Sequence, residues 1–150
     1  MLKVIMLAVS VFCLSGTLSA QALEWTSVGL GGGGGLFTPG VSPHEPNFML
    51  ISSDMTGVYR TTDAGVTWNM IDWHQINSAL QCNPVFHPTD VNRVYAHGRK
   101  GTNAADILVS ADRGLTWAPL TSTPPWGTNT VYSFYIDRGN ASLMFAGTAT

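Results

Sequence analysis

Charge is scarce in this chain. Of 150 residues, 7 are Lys or Arg and 9 are Asp or Glu, for a net charge of −2. A nucleic-acid surface needs a basic stripe to neutralise phosphates, so that class of partner is excluded. Cysteine is scarcer still, at 2 residues, which rules out a disulfide-built scaffold. The 4 histidines show no zinc spacing of the H-E-x-x-H kind, so no metal is expected. The glycines at 31–35 are not followed by Lys-Ser/Thr, so there is no phosphate-binding loop and no nucleotide cofactor is expected. The longest mainly apolar stretch, Val4 to Leu14 with Ser10 inside it, is 11 residues, well short of the roughly 20 that span a bilayer.

That run has a role of a different kind. Lys3 precedes it and Ala20-Gln21-Ala22 follows, the small-x-small pattern of a cleavage site, so residues 1–22 read as a secretory signal peptide. An uncleaved anchor is the alternative. Cys13 has no small residues before it of the kind a lipoprotein site wants. Residues 23–150 are then a secreted or periplasmic domain with no membrane span, and Cys82 is its one cysteine, read as a small buried hydrophobe.

Apolar residues make up 45% of the chain, with 16 Gly and 5 Trp, so a packed core is available. The organising feature is a repeat. Thr61-Thr62-Asp63-Ala64-Gly65-Val66-Thr67-Trp68 returns 49 residues later as Ser110-Ala111-Asp112-Arg113-Gly114-Leu115-Thr116-Trp117, both S/T-x-D-x-G-x-T-W. Short apolar runs separated by Pro, Gly, Asn and Asp turns surround each copy. Strands are expected at 36–42, 48–53, 57–62 and 67–71, then at 83–87, 93–97, 106–111 and 116–120, then at 131–137 and 143–147. A period of 40–50 residues with four strands per unit is the signature of an all-β propeller of four-stranded antiparallel blades. About two and a half blades are present, so residues 23–150 are expected to be the N-terminal part of a longer propeller whose remaining blades lie in the same chain.

The motif resembles the Asp-box, or bacterial neuraminidase repeat, of sialidases, sortilins and propeller glycosidases. Asp63 and Asp112 fall where a third strand turns into a fourth, and a carboxylate there can accept turn N–H groups. Gly65 and Gly114 suit a positive φ, and Trp68 and Trp117 can bury a ring between blades. These six residues are read as structural, and the two carboxylates as non-catalytic. A sialidase would also need an arginine triad, and the arginines here are scattered.

A meander sends its connections to alternate ends, so chemistry is expected on the other end. That end collects the glycine run 31–35, Asp54-Met55-Thr56, the segment 72–81, the enlarged loop 98–105 and the segment 121–129. The glycine run reads either as a linker or as a loop whose backbone approaches something closely; the apolar runs flanking it favour the loop. Trp73 and Trp126 are candidate sugar-stacking residues, or else packing residues between blades. Val28-Gly29-Leu30-Gly31-Gly32-Gly33-Gly34 followed by Ser53-Asp54-Met55-Thr56-Gly57-Val58-Tyr59-Arg60 is similar to the N-terminal propeller of glycoside hydrolase family 74, where the pattern is a glycine run and then T-D-I/V-G-G-A-Y-R. Phe86-His87-Pro88 and Arg93-Val94-Tyr95 extend the similarity. The resemblance implies an endo-xyloglucanase or related β-glucanase, with Asp54 as the general base of an inverting mechanism and an acid supplied by a second propeller. Asp72 and Asp106 rank below that acid as second carboxylates. Thr56 stands where the family has glycine, and Met55 where it has a β-branched residue. Gly33, Gly34, Trp73 and Trp126 become substrate-binding candidates, and a polysaccharide or glycan the expected partner. The contrasting expectation is a non-catalytic propeller, sortilin-like or sialidase-related, that binds glycans or proteins.

Overall fold

The computed structural model describes residues 24–27, 34–77, 82–101 and 106–149. The signal-peptide reading and Gly33 lie outside the described residues. Ten strands follow one another with no helix between them among the described residues: β1 Leu36–Val41, β2 Met49–Ser53, β3 Gly57–Thr61, β4 Asn69–Met70, β5 Val85–Phe86, β6 Val94–Gly98, β7 Asp106–Ser110, β8 Ala118–Pro119, β9 Val131–Ile136 and β10 Met144–Thr148. They form two four-stranded antiparallel sheets, ordered β1-β2-β3-β4 and β5-β6-β7-β8, and a β9-β10 pair. These are propeller blades in succession, as the repeat predicts.

The outer strands are shorter than the sequence pattern suggests. Strands were expected at 67–71 and 116–120, and the ladders hold only Asn69–Met70 and Ala118–Pro119. The reason is competition for one donor. The backbone N–H groups of Thr67 and Thr116 go to the Asp63 and Asp112 carboxylates, at 2.9 and 2.8 Å, and so belong to the turns. β5 is shortened at its start for a different reason. Asn83 takes a left-handed φ of 41°, and Pro84 has no N–H to give.

The core lies between blades. Phe48, Leu50 and Val58 of the first sheet pack with Ile71, Ile76, Cys82, Val94, Ala96, Leu108 and Trp117. A second cluster, Tyr95, Ile107, Val131 and Ile136, joins the second sheet to β9. The second blade is thus apolar on both faces, and covering those faces supplies about 25 cal/mol per Å² of apolar surface. Cys82 is fully buried, as expected of a small hydrophobe, and burial pushes its thiol up to about 11. Such a thiol is unreactive at neutral pH.

Polar contacts register the blades. Cys82 and Asn83 donate their N–H groups to Ser52 Oγ and Thr38 Oγ1, each at 3.2 Å. Arg60 Nε donates to the Arg113 carbonyl at 2.6 Å, and the Arg113 guanidinium pairs with Glu45. Both guanidinium carbons sit 5.4 Å from the centre of the Phe48 ring. Burial, followed by the neighbouring Arg113 charge, lowers the Arg60 pKa.

Trp117 is 2% exposed, with its Nε1–H given to the Gly114 carbonyl at 3.0 Å. Its counterpart Trp68 is half-buried. Leu50 of the preceding blade helps cover the Gly114–Trp117 turn, whereas Trp68 belongs to the first described blade. Trp117→Ala should therefore cost about 3–5 kcal/mol. Trp68→Ala should cost less. Denaturant titration of the two variants in the full-length protein checks that order, and equal losses would contradict it.

Candidate active site

The two ends of the blades differ in how their carboxylates are used. At the β3–β4 turn, Asp63 Oδ1 accepts from Thr61 Oγ1 at 2.7 Å and from the Thr67 N–H at 2.9 Å, while Oδ2 accepts from Thr67 Oγ1 at 2.6 Å. The β7–β8 turn repeats this around Asp112, with Ser110 Oγ at 2.7 Å, the Thr116 N–H at 2.8 Å and Thr116 Oγ1 at 2.5 Å. Gly65 and Gly114 hold φ values of 86° and 81°, which a glycine adopts without strain. Ala64 and Arg113 also turn left-handed, and their N–H groups reach the carbonyls of Asn47 and Asn92 at 3.1 and 2.8 Å. Each turn is thereby bound to the β1–β2 or β5–β6 turn beside it.

Hydrogen bonds from the Thr67 side chain and backbone, then from Thr61, lower the Asp63 carboxyl to about 2. At Asp112 burial pushes upward, but the bonds from Thr116, Ser110 and Leu115 outweigh it and the net shift is downward. A general acid must hold a proton near the working pH, and these groups do not.

The opposite end carries Asp54, exposed in the β2–β3 turn. Backbone fixes this turn. The Asp54 N–H reaches the Gly35 carbonyl at 3.2 Å, the Met55 N–H reaches Ser53 Oγ at 3.3 Å, and Gly57 takes a φ of 130°. Tyr59 donates its hydroxyl to Thr56 Oγ1 at 2.9 Å. Gly34, at a φ of 105°, lies so close that a Cβ there would come within 2.1 Å of Asp54 Oδ1 and 2.8 Å of Met55 Cγ. The end of the glycine run is therefore a close approach of backbone to the Asp54 carboxylate.

The strand next to this turn delivers Trp73. Met70 pairs with Tyr59, and the Ile71 N–H reaches the Val58 carbonyl at 2.8 Å, so the chain leaves β4 alongside Gly57. Trp73 is 46% exposed and stacks on His74, with ring centres 3.9 Å apart. Asp72 Oδ1 accepts from the His74 N–H and the His74 ring, and these bonds, the backbone one first, lower its pKa. Trp126 leaves the second blade at the same end but one blade away from Asp54. Its Nε1–H goes to Asp106 Oδ1 at 3.2 Å, and its half-buried ring lines a 430 Å³ cleft with Phe134, Met144 and Phe145. Asp72 and Asp106 both already serve as acceptors. Sequence reasoning did not register the Asp72–His74 pairing or the Tyr59–Thr56 bond. The D-x-H spacing was the one signal available for the first.

Among the described residues, no group of three or more His, Cys, Asp or Glu is placed to hold a metal, and no helix is long and apolar enough to cross a membrane.

No family model matches the chain. Curated relatives do. A xyloglucanase of Paenibacillus sp is 33% identical over 117 residues, covering 68% of this chain and 11% of that protein. A xyloglucanase of Hypocrea jecorina is 33% identical over 148 residues, covering 84% of this chain and 17% of that protein. This chain is similar to xyloglucanases. It spans between 11% and 17% of the length of the relatives it matches. Among solved structures, an ancestral enzyme of glycoside hydrolase family 74 superposes with a TM-score of 0.55 at 20% identity, over 75% of this chain and 16% of that one. The family 74 xyloglucanase from Xanthomonas campestris gives 0.50 at 19% identity, over 65% of this chain and 16% of that one. The fold is that of a family 74 propeller.

A carboxyl whose folded pKa is depressed stabilises the native state above its unfolded pKa, about 3.9 for Asp, and loses that contribution as pH falls through the folded value. For Asp63 that value is about 2. The melting temperature of Asp63→Asn should therefore lie below that of the parent protein at pH 7, and the gap should close between about pH 4 and pH 2. A gap that stays constant across this range would show that the Asp63 charge is irrelevant to stability.

Proposed function

We propose that this chain is the N-terminal part of an exported glycoside hydrolase that cleaves β-glycosidic bonds of a polysaccharide, with xyloglucan as the first substrate to try. The reading rests most on Asp54. It is an exposed carboxylate in a backbone-fixed turn, pressed by Gly34, in a chain similar over two thirds of its length to xyloglucanases. Inverting hydrolysis needs a base to activate water and an acid to protonate the leaving oxygen, with carboxyls about 6.5–9.5 Å apart. Asp54 is the base in this reading. The acid is supplied by a part of the protein beyond residues 23–150, since Asp72 and Asp106 are each committed to neighbouring donors. Gly34 keeps the backbone low beside the Asp54 carboxylate, Gly33 remains a substrate-binding candidate, and Trp73 and Trp126 contact sugar. The turns around Asp63 and Asp112 are Asp-boxes whose role is structural, residues 1–22 direct export, and further blades complete the propeller.

A non-catalytic glycan-binding propeller is the second reading. It is favoured by Trp73, a half-exposed ring that would bind sugar with or without turnover.

Release of reducing ends from xyloglucan by the full-length protein separates the two. Asp54→Ala should lower kcat by at least about 10³-fold with little change in melting temperature, because removing the base abolishes water activation. Equal rates for the parent and Asp54→Ala would end the catalytic assignment. Gly34→Ala, whose Cβ meets Oδ1, should displace the carboxylate and lower kcat about 10–100-fold.

A further inference from the structure

The first blade's exit carries a group that its repeat does not have. Asp72, Trp73 and His74 follow Ile71, and the equivalents after Leu120 in the second blade are Thr121, Ser122 and Thr123. The two exits leave their sheets in the same way. The Ile71 N–H bonds Val58 O at 2.8 Å, and the Leu120 N–H bonds Ile107 O at 2.9 Å. Blade geometry therefore does not require an aspartate, a tryptophan and a histidine here.

The arrangement of the three is specific. Asp72 closes a tight turn, its carbonyl accepting the Gln75 N–H at 2.8 Å and its carboxylate the His74 N–H at 2.9 Å. The same carboxylate oxygen meets His74 Nδ1 at 2.8 Å. Hydrogen bonds from His74 lower the Asp72 pKa, so the carboxylate is ionised and can only accept. Nδ1 must then carry the proton. In the neutral ring Nε2 is left as an acceptor, held in one direction by the turn. Trp73 lies against this ring, tilted by 34°, and remains 46% exposed with His74 on one of its faces. Gly101, from the loop after β6, approaches the indole edge without covering it; a Cβ there would stop 3.9 Å away.

An open indole face beside one oriented imidazole nitrogen suits a pyranose. The ring covers the sugar's apolar C–H face, and Nε2 accepts a hydrogen bond from a hydroxyl. We propose that Trp73, His74 and Asp72 form a saccharide-binding subsite immediately beside the Asp54 turn, in which Trp73 stacks on a sugar ring, His74 Nε2 accepts a bond from one of its hydroxyls, and Asp72 fixes the histidine. The subsite rests on the polysaccharide reading for its ligand class, but it does not require Asp54 to be catalytic.

Calorimetric titration of the full-length Asp54→Ala protein with xyloglucan oligosaccharides tests it, since turnover is then blocked. Trp73→Ala in that background should weaken binding at least about tenfold, and Trp73→Phe, which keeps a ring, by less than about threefold. His74→Ala and Asp72→Ala should each weaken binding about threefold to tenfold, and should do so non-additively because Asp72 acts through His74. All four should melt within about two degrees of their parent, as expected of exposed side chains. Affinities unchanged in both Trp73→Ala and His74→Ala would overturn the subsite, as would the absence of any oligosaccharide binding. Trp73-dependent binding together with no hydrolysis by the parent protein would uphold the subsite while removing the catalytic reading. Hydrolysis that depends on Asp54 but is indifferent to Trp73 and His74 would do the reverse.

Discussion

An antiparallel strand must be followed by a reversal, and in a meander the reversals alternate between two ends of the sheet. Much of this molecule follows from that constraint. Met49 opposite Thr61 and Ser53 opposite Gly57 fix which end each turn of the first blade occupies. The Asp63 turn then shares an end with the β1–β2 turn, to which it is bound through Ala64 and Asn47. The Asp54 turn shares the other end with Gly34 and Gly35 before β1 and with the chain leaving β4. One register thus brings Gly34, Asp54 and Trp73, which are spread over 40 residues of sequence, to a single rim.

The two ends use acidic residues in opposite ways. At Asp63 and Asp112 both carboxylate oxygens are occupied by donors from residues two before and four after, so the charge is stabilised where it stands. That stabilisation makes them good turn formers, and for the same reason poor proton carriers. At Asp54 the order comes from the main chain and from the lack of room at Gly34, with the carboxylate itself exposed. A group that must take a proton from water in the course of a reaction needs that second kind of support.

The sequence made the blades legible because each strand pair is local and each turn has its own chemistry. The repeat at 49 residues, the glycines at 65 and 114 and the tryptophans at 68 and 117 all carried position information along one dimension. Strand ends were less legible. Thr67 looks like a strand residue by propensity, and only the bond from its N–H to Asp63 assigns it to the turn. Asp54 could be placed on its rim by counting reversals, and the family resemblance pointed to the same residue. The stacking of His74 on Trp73 could not be foreseen, because it depends on side-chain torsions that no spacing rule fixes. Trp126 was placed on the correct end, but its bond to Asp106 and its packing against Phe134 and Met144 depend on how neighbouring blades meet.

Inter-blade contact is the level at which stability and chemistry remain linked. Gln75, one residue after His74, accepts the Trp117 N–H at 3.1 Å, and Lys100, one residue before Gly101, donates to the Trp117 carbonyl. The main chain of the best-buried tryptophan therefore anchors both segments that flank Trp73. Asn77 and Arg99 exchange backbone bonds of 2.7 Å in each direction and close the same connection. Loss of the second blade would remove all four of these anchors and leave the Asp72–His74 turn attached only to β4. The Trp73 side of the rim is accordingly a property of two packed blades, whereas the Asp54 turn is held within the first blade by Gly35 and Ser53.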